Sequence, residues 1–488
     1  MIALLLGCSP RSDEVVVRME VRTEDDLAAL DALGADVWSE HVEDSVLARI
    51  RRADLARLPR PAEVVIDDLP AALALAAPSG VQGDFFADWR PFDEIDAQLD
   101  VIAAQVPWAK VVDVGTSLEG RPIRALSLAV PRAAPDDRLG VLVTATQHAR
   151  EWVAASSALY LAQHLVDGYG ADPAVTELLD QHRIWIVPVA NPDGYEYTWS
   201  TDRLWRKNRA DNGDGSFGVD LNRNWDAAWG GAGSSPVGSS GNYHGPAAFS
   251  EPETAALAAF AEDRPRIAYY LDLHCTGQLA LRPWGFTATP APDEGPLAAG
   301  SVAASDAMSA VWGASYDEGP FNTRLYPGSG VAVDWAYGIR GAWSWLFELR
   351  DKGQYGFLLP ADQIGPTGDE VVAGFEALFT VPERPRLLLS ANRDPIVAGQ
   401  RVELAVWRAP AGARVRIFRS ETGLGSTTVA GGDHLDLADP KLIAVQDADD
   451  SGAVFVHLVA PTSWSGRTVW LQAVAHDQPS IVVTAAIP

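Results

Sequence analysis

His148 and Glu151 stand three residues apart, directly after the apolar run Val141-Leu-Val-Thr-Ala145. One helical turn would bring i and i+3 side chains to the same side, where both could reach a single cation. An H-x-x-E pair is common by itself. Its place marks it, because α/β sheets present ligand-binding groups at the carboxyl ends of their strands. A third ligand is expected from another strand end, and the β-like run Ala268-Tyr-Tyr-Leu-Asp-Leu273 stops at His274. His244, in Asn242-Tyr-His-Gly245, is a rival, although a histidine in a Gly-rich loop is more often structural. A His, Glu, His set leaves a fourth position for water, as catalytic zinc does. Zinc lowers the pKa of such a water to about 7, and a nearby carboxylate can take its proton during attack on a carbonyl. Glu348 is placed for that role, since it interrupts the apolar strand Trp345-Leu-Phe-Glu-Leu349, where an unsatisfied carboxylate would be costly. A salt bridge to Arg350 or another arginine is the alternative reading. Leu204-Trp-Arg-Lys-Asn-Arg209 and Asp220-Leu-Asn-Arg-Asn-Trp225 set arginines in loops, and guanidinium forks suit carboxylates and developing oxyanions. Solvated surface charge is the bland alternative there.

These residues must be held by a sizeable scaffold. The chain has 488 residues, 47% of them apolar and 21% charged, a globular composition. At about 150 residues per domain the length suggests roughly three domains. A formal charge of −27 argues against nucleic acid as a partner, because phosphate binding needs clustered Lys and Arg. No apolar run approaches the ~20 residues of a membrane helix. Two cysteines exclude a disulfide scaffold. Residues 1–10 form a signal-like segment in which Leu4-Leu-Leu-Gly-Cys8 resembles a bacterial lipobox, so Cys8 is a candidate lipid anchor on an exported bacterial protein at the cell surface, in the periplasm or outside the cell. Residues 11–68 read as a small βαββαβ-like α+β unit. Val15, Val17, Met19 and Val21 alternate with polar residues, and helix signals follow at Thr23–Gly34. Strands at 45–50 and 64–66 flank a short helix at 53–58. Residues 69–88, rich in Ala, Pro, Gly and Asp, read as a linker. From 89 to 382 continuously apolar strands alternate with helices such as 152–167 and 251–260. That pattern predicts an α/β domain with a central mixed, mainly parallel sheet and helices on both faces. After the stiff break at 381–385, period-2 strands at 402–406, 415–417, 454–458 and 469–471 predict a β-sandwich over 386–488.

The segments His148-Ala-Arg-Glu-Trp152, Asn191-Pro-Asp-Gly-Tyr195, Leu204-Trp-Arg-Lys-Asn-Arg209, Val219-Asp-Leu-Asn-Arg-Asn-Trp-Asp226, Asn242-Tyr-His-Gly245, Leu273-His274, Phe347-Glu-Leu-Arg-Asp351 and Phe357-Leu-Leu-Pro-Ala361 occur in the order seen in zinc metallocarboxypeptidases. Residues 90 to 380 resemble the carboxypeptidase A/B branch of that family, peptidase family M14, and the small upstream unit resembles its inhibitory propeptide in pattern. The resemblance implies one Zn2+ held by His148, Glu151 and His274, with Glu348 as general base. It implies that Arg206 polarises the scissile carbonyl, that Asn222 and Arg223 hold the substrate's C-terminal carboxylate, and that Arg150 contacts the substrate further along. Asp220 would orient His148, Tyr326 would close over bound substrate, and Val333 would lie at the floor of the specificity pocket.

Other pocket positions would be Leu281, Gly285, Phe321, Gly328, Val331 and Leu346. None is charged, and burying a substrate lysine there would cost several kcal/mol. The expected substrates are therefore peptide or protein C-termini ending in apolar or aromatic residues. Val331 stands where better-known members have glycine, and with the bulky Phe321 it predicts a shallower pocket. Arg282 lies beside this lining. The expected protein is a monomeric hydrolase. The alternatives are a catalytically silent peptide-binding surface protein of the same fold, or an amidase or cell-wall peptidase of the same family. Few basic residues lie between Arg60 and Arg90, which does not support a trypsin-like activating cut. Asp211-Asn-Gly-Asp-Gly215 resembles the start of a calcium loop but lacks its downstream Glu and reads as a turn.

Overall fold

The computed structural model describes residues 12–38, 45–80, 83–132, 138–381, 385, 387–391, 396–409, 412–429, 433–449, 452–475, 478–480 and 483–487. The lipobox-like segment with Cys8, part of the break at 381–385, His41 and His476 lie outside these residues. Among the described residues no helix is long and apolar enough to cross a membrane.

The N-terminal unit is a four-stranded antiparallel sheet of β1 (Glu14–Glu20), β2 (Asp36–Val37), β3 (Ser45–Arg51) and β4 (Ala62–Ile66), in the order β2-β3-β1-β4. Val15, Val17 and Met19 pack with Leu30 of the helix Glu24–Ala32, while Val16 and Leu47 turn the other way and join the core of the following domain. The alternation of side chains along a strand thus lets one sheet serve two cores. The short helix expected at 53–58 is a 3-10 turn, Arg52–Arg57. The stretch read as a linker carries its own structure, a helix at Leu69–Leu75 and a turn at Phe85–Ala87. Asp68 accepts the N–H of Ala71, Pro70 sits in the first turn, and Ala and Leu supply helix propensity, so the composition that resembles a linker also suits a capped helix.

The central sheet contains β5 (Ala109–Thr116), β6 (Pro122–Leu128), β7 (Leu139–Ala145), β8 (His182–Val187), β9 (Ile267–Cys275), β10 (Leu279–Arg282), β11 (Asp317–Pro320) and β12 (Trp343–Leu349). The order is β11-β10-β12-β9-β7-β8-β6-β5. The strands β12, β9, β7 and β8 run parallel, β10 and β11 are parallel to each other, and antiparallel pairing joins β10 to β12, β6 to β8 and β5 to β6. The sheet is therefore mixed, as expected, with helices packed against both faces, among them Trp152–Gly168 and Ile364–Leu378 on one side and Pro252–Glu262 on the other. β9 and β12 are buried along their whole length, and β7 and β8 but for Leu139 and Arg183, which explains the apolar runs.

The C-terminal segment forms two main sheets. One holds β13 (Leu388–Ala391), β14 (Arg401–Trp407) and β19 (Val454–Val459); the other holds β15 (Arg414–Ser420), β18 (Lys441–Asp447), β20 (Arg467–Ala475), β21 (Gln478–Pro479) and β22 (Val483–Ile487). Leu404, Val406 and Val454 from the first meet Val415, Ile417 and Leu471 from the second in one apolar cluster. A separate ribbon pairs β16 (Leu424–Thr428) with β17 (His434–Leu437). Arg408 joins this segment to the central sheet. Its buried guanidinium donates to the carbonyl oxygens of Gly341 (2.6 Å), Arg340 (2.8 Å), Pro265 (3.2 Å) and Ile267, all at the starts of β9 and β12 and far from the carboxyl ends where the chemistry lies.

The β5–β6 turn is clamped by two carboxylates. Asp193 accepts Ser117 Oγ and the N–H of Glu119, both at 2.7 Å, and Glu253 accepts the N–H of Leu118 at 3.1 Å and Asn208 Nδ2 at 3.3 Å. Burial pushes the Glu253 carboxyl up to about 7 from its ordinary 4.5. The folded protein therefore keeps this proton to about pH 7 whereas the unfolded chain releases it near 4.5, and the stability that this difference provides is lost as pH rises across that interval. Raising the pH from 5 to 8 should lower the Tm of the wild type more than that of Glu253→Gln, by roughly 2 °C or more. Parallel Tm–pH curves from scanning fluorimetry would refute this origin of the pH dependence.

Candidate active site

The register of the sheet brings the expected chemistry together. In the parallel β9–β12 pair His274 stands opposite Glu348, and β7 ends beside them, Ala145 opposite Leu273. The chain leaves β7 through Thr146 at φ 59° and turns back, so that Glu151 N donates to His148 O at 3.3 Å before the helix Trp152–Gly168 begins. His148 and Glu151 are thus apposed by a turn rather than by the helical spacing expected from sequence. Glu151 occupies the N-cap position but does not cap with its side chain; its carboxylate points to the two histidines instead. His148 Nδ1 lies 2.9 Å from Oε1, His274 Nδ1 lies 3.1 Å from Oε2, and the two ring nitrogens lie 3.1 Å apart.

All three side chains are buried, and one ligand atom from each falls within 4.8 Å of the others. Each ring has carboxylates facing both of its nitrogens, Glu151 at Nδ1 and Asp220 or Asp272 at Nε2, but a neutral imidazole carries only one N–H. With Nε2 donating to the aspartate, each Nδ1 is left as a free lone pair beside Glu151, a donor set that suits zinc. Burial alone would raise the Glu151 carboxyl, but the neighbouring His148 and His274 hold it below the ordinary range.

Two further carboxylates orient the histidines. Asp220 Oδ1 lies 3.0 Å from His148 Nε2, while its Oδ2 accepts Arg206 Nη2 at 2.9 Å and Nε at 3.2 Å. Asp272 Oδ2 lies 3.0 Å from His274 Nε2, with Thr144 Oγ1 and Gln147 Nε2 donating to the same carboxylate at 2.8 and 2.5 Å. Asp272 was not anticipated from sequence. Its signal was there, because residues i and i+2 of a strand share a face and a charge two places before His274 in an apolar strand needs a partner.

Asp220 also accepts the N–H of Asn222 and so begins the one-turn helix Leu221–Arg223. Asn222 Nδ2 comes within 3.4 Å of His274 Nε2, and its Oδ1 accepts Ala332 N. The buried Arg223 donates to Gly233 O, Asn222 O and, at 2.6 Å, the hydroxyl of Tyr326. Glu348 is 2% exposed, and the arginine two places on is taken by Glu370 and Gln363. Val333 lies in an apolar cluster with Leu281, Phe321, Leu325, Val331 and Leu346. Arg282 turns away from that cluster to Glu294 and Glu318. His244 holds its own backbone neighbour, Gly245 O, and packs on Trp229.

Arg150 differs from the other expected substrate contacts in being held by the N-terminal unit. Its Nη1 donates to both oxygens of Asp36 at 2.7 and 2.8 Å, and its guanidinium lies 4.1 Å from the centre of the Phe357 ring. Trp38 packs at an angle of 59° against the same ring from the N-terminal unit, with centroids 5.6 Å apart. Glycines admit this contact: a Cβ at Gly356 would stand 2.8 Å from Trp38, and one at Gly353 3.0 Å from Leu47. Asp351 folds the loop by accepting four backbone N–H groups from Gly353 to Gly356.

Residues 95–374 match the profile of the Peptidase_M14 family, the zinc carboxypeptidases, over more than half of the chain. The protein belongs to the zinc carboxypeptidase family. Within that family it is 38% identical to carboxypeptidase A2 of Rattus norvegicus over 300 residues, 61% of this chain and 71% of that protein. It is likewise 38% identical to carboxypeptidase A1 of Bos taurus over 291 residues, 59% of this chain and 69% of the bovine one. The crystal structure of carboxypeptidase A from Helicoverpa armigera superimposes with a TM-score of 0.68 at 29% identity, covering 76% of this chain and 97% of that one. As a zinc carboxypeptidase, the protein has His148, Glu151 and His274 positioned to hold the ion.

Full-length protein should retain about one zinc per chain after dialysis, and His274→Ala should lose it. Asp272→Asn, which leaves the ligands intact, should weaken zinc binding roughly 10- to 100-fold. Metal analysis after equilibrium with a competing chelator measures both, and unchanged retention in His274→Ala would place the metal elsewhere.

Proposed function

We propose that the protein removes the C-terminal residue from peptides and proteins, with Glu348 as general base and a preference for apolar side chains at the residue released. The observation that carries this reading is the adjacency of two sites. Asn222 Nδ2 is 3.4 Å from His274 Nε2, so a terminal carboxylate held by Asn222 and Arg223 would set the last peptide bond beside the metal-binding set.

When bound, zinc supplies a Lewis acid that lowers the pKa of water to about 7. Glu348, enclosed in β12 opposite His274, takes the proton of the attacking water on a carboxylate oxygen and delivers it to the departing amide nitrogen. Arg206, steered by Asp220, donates to the carbonyl oxygen as it gains charge. Tyr326 must release Arg223 before a substrate carboxylate can take its place, so its ring moves as substrate binds. The uncharged cluster around Val333, with Arg282 neutralised outside it, favours apolar side chains over Lys or Arg.

The test is release of the terminal residue from an N-blocked dipeptide by zinc-loaded protein, abolished by a metal chelator. Glu348→Gln should cut kcat by about 10²-fold or more while zinc content is unchanged. Full activity in that variant would remove Glu348 from the role of base.

We further infer that the N-terminal unit restrains the enzyme. Asp36 neutralises Arg150, the group expected to meet the substrate beyond the scissile bond, and Trp38 covers Phe357 beside it. Charge-assisted hydrogen bonds of this kind contribute about 1.5–3 kcal/mol. Asp36→Ala in the full chain should therefore raise the rate of dipeptide hydrolysis by about tenfold or more. An unchanged rate would mean that the contact does not hold the unit in place.

A further inference from the structure

The apolar side chains beside Arg223 are packed against one another rather than around an open slot. Leu281, Phe321 and Val331 show 0% exposure, and Val333 and Leu346 only 1%. Phe321 does the filling. Its ring lies beside two glycines: a Cβ at Gly328 would stand 2.6 Å from Phe321 Cε1, and one at Gly285 would meet Gly328 O first, at 2.7 Å, then Val331 Cγ2 at 3.1 Å and Phe321 Cδ1 at 3.2 Å. The two positions that could have narrowed the pocket from the walls are stripped of side chains, and the space so gained is taken by the ring. Tyr326, the partner of Arg223, stands edge-on to it with centroids 6.5 Å apart.

The frame around the ring is braced on both sides. Gly328 N and Asn322 Nδ2 both donate to Gly285 O, at 2.9 and 2.8 Å, and Asn322 N donates to Trp284 O at 2.9 Å. Asp334, buried behind the wall, accepts the N–H groups of Gly285 and Phe286 at 2.9 and 3.1 Å. The backbone therefore has little freedom to widen, and close-packed interiors resist added volume. A side chain arriving beside Arg223 competes with the Phe321 ring for its place.

We infer that Phe321, with Val331, sets specificity by size, so that the residue released is small and aliphatic, such as Ala or Val, rather than Phe, Tyr or Trp. This rests on the carboxypeptidase reading above and narrows its apolar preference. A difference of one or two carbons in a tight apolar pocket changes discrimination by roughly 10- to 200-fold, which is ample to order a substrate series.

The experiment is a kcat/KM series on N-blocked dipeptides ending in Ala, Val, Leu, Phe and Trp, using the zinc-loaded full chain nicked between residues 69 and 88 by a broad-specificity protease. Wild type should favour Ala or Val over Phe by about tenfold or more, and Phe321→Ala should reverse that order. Val331→Gly removes a neighbour from the same apolar cluster and should raise the Phe-to-Ala ratio even if Phe321→Ala does not fold. Calorimetric titration of the metal-free protein with N-acetyl-Ala, N-acetyl-Val and N-acetyl-Phe gives the same ranking without catalysis. Faster release and tighter binding of Phe in the wild type, or a series indifferent to both substitutions, would overturn the proposal while leaving the carboxypeptidase reading intact. Hydrolysis of no member of the series would instead sink that reading and the size rule with it.

Discussion

The carboxylate of Asp220 is the point on which the site turns. It is fully buried, and burial would raise its pKa; Arg206, His148 and Arg223 outweigh that cost and keep it charged, well below the usual carboxylate range. A buried charge of this kind must be surrounded by donors or it destabilises the fold. Satisfying it aims the His148 ring, points Arg206 toward the metal-binding set and starts the turn that carries Asn222 and Arg223. One residue thus ties the metal-binding set to Arg206 and to the turn that carries Asn222 and Arg223. Asp272 does the same on a smaller scale for His274.

The remaining architecture follows from the need to bury those charges without water. Parallel strands covered on both faces place the polar ends of β7, β9 and β12 at one edge of the sheet while their bodies stay apolar. The opposite edge, at the starts of β9 and β12, is closed by Arg408 from the C-terminal sheets. Above the site the N-terminal unit contributes Asp36, so that in a chain with a formal charge of −27 even a cluster of arginines around the site finds local anions. Arg203 shows how far this goes. It lies over the Trp152 ring at 3.6 Å and donates to the carbonyls of Arg150 and Phe357, bracing both the occupied arginine and the loop that meets Trp38.

Much of this was legible in the sequence. Continuous apolar runs marked β7, β8, β9 and β12, because strands buried on both faces carry no polar alternation. His148 and His274 were legible from their place at strand ends and Glu151 from its spacing to His148, while Glu348 stood out only as a carboxylate interrupting an apolar strand, with a salt bridge as the open alternative. The linker reading of 69–88 missed a helix because Ala, Pro and Asp serve loops and helix starts equally well. The helical apposition of His148 and Glu151 gave way to a turn because the chain has to reverse from β7 before a helix can begin.

The types of side chain, their order and the apolar pattern were therefore decided by the sequence alone, since each reflects a local requirement of burial or ligand chemistry. Three things depended on the folded chain. The register that sets Glu348 opposite His274 arises from strands 74 residues apart. The capture of Arg150 by Asp36 joins residues 114 positions apart, and no local pattern predicts it. The bulk of Phe321 was visible in the sequence, but its close packing beside Gly285 and Gly328 depends on how distant backbones approach, a matter of ångströms that composition cannot express. Each is a contact between distant segments, and only packing in three dimensions decides which of the possible contacts is made.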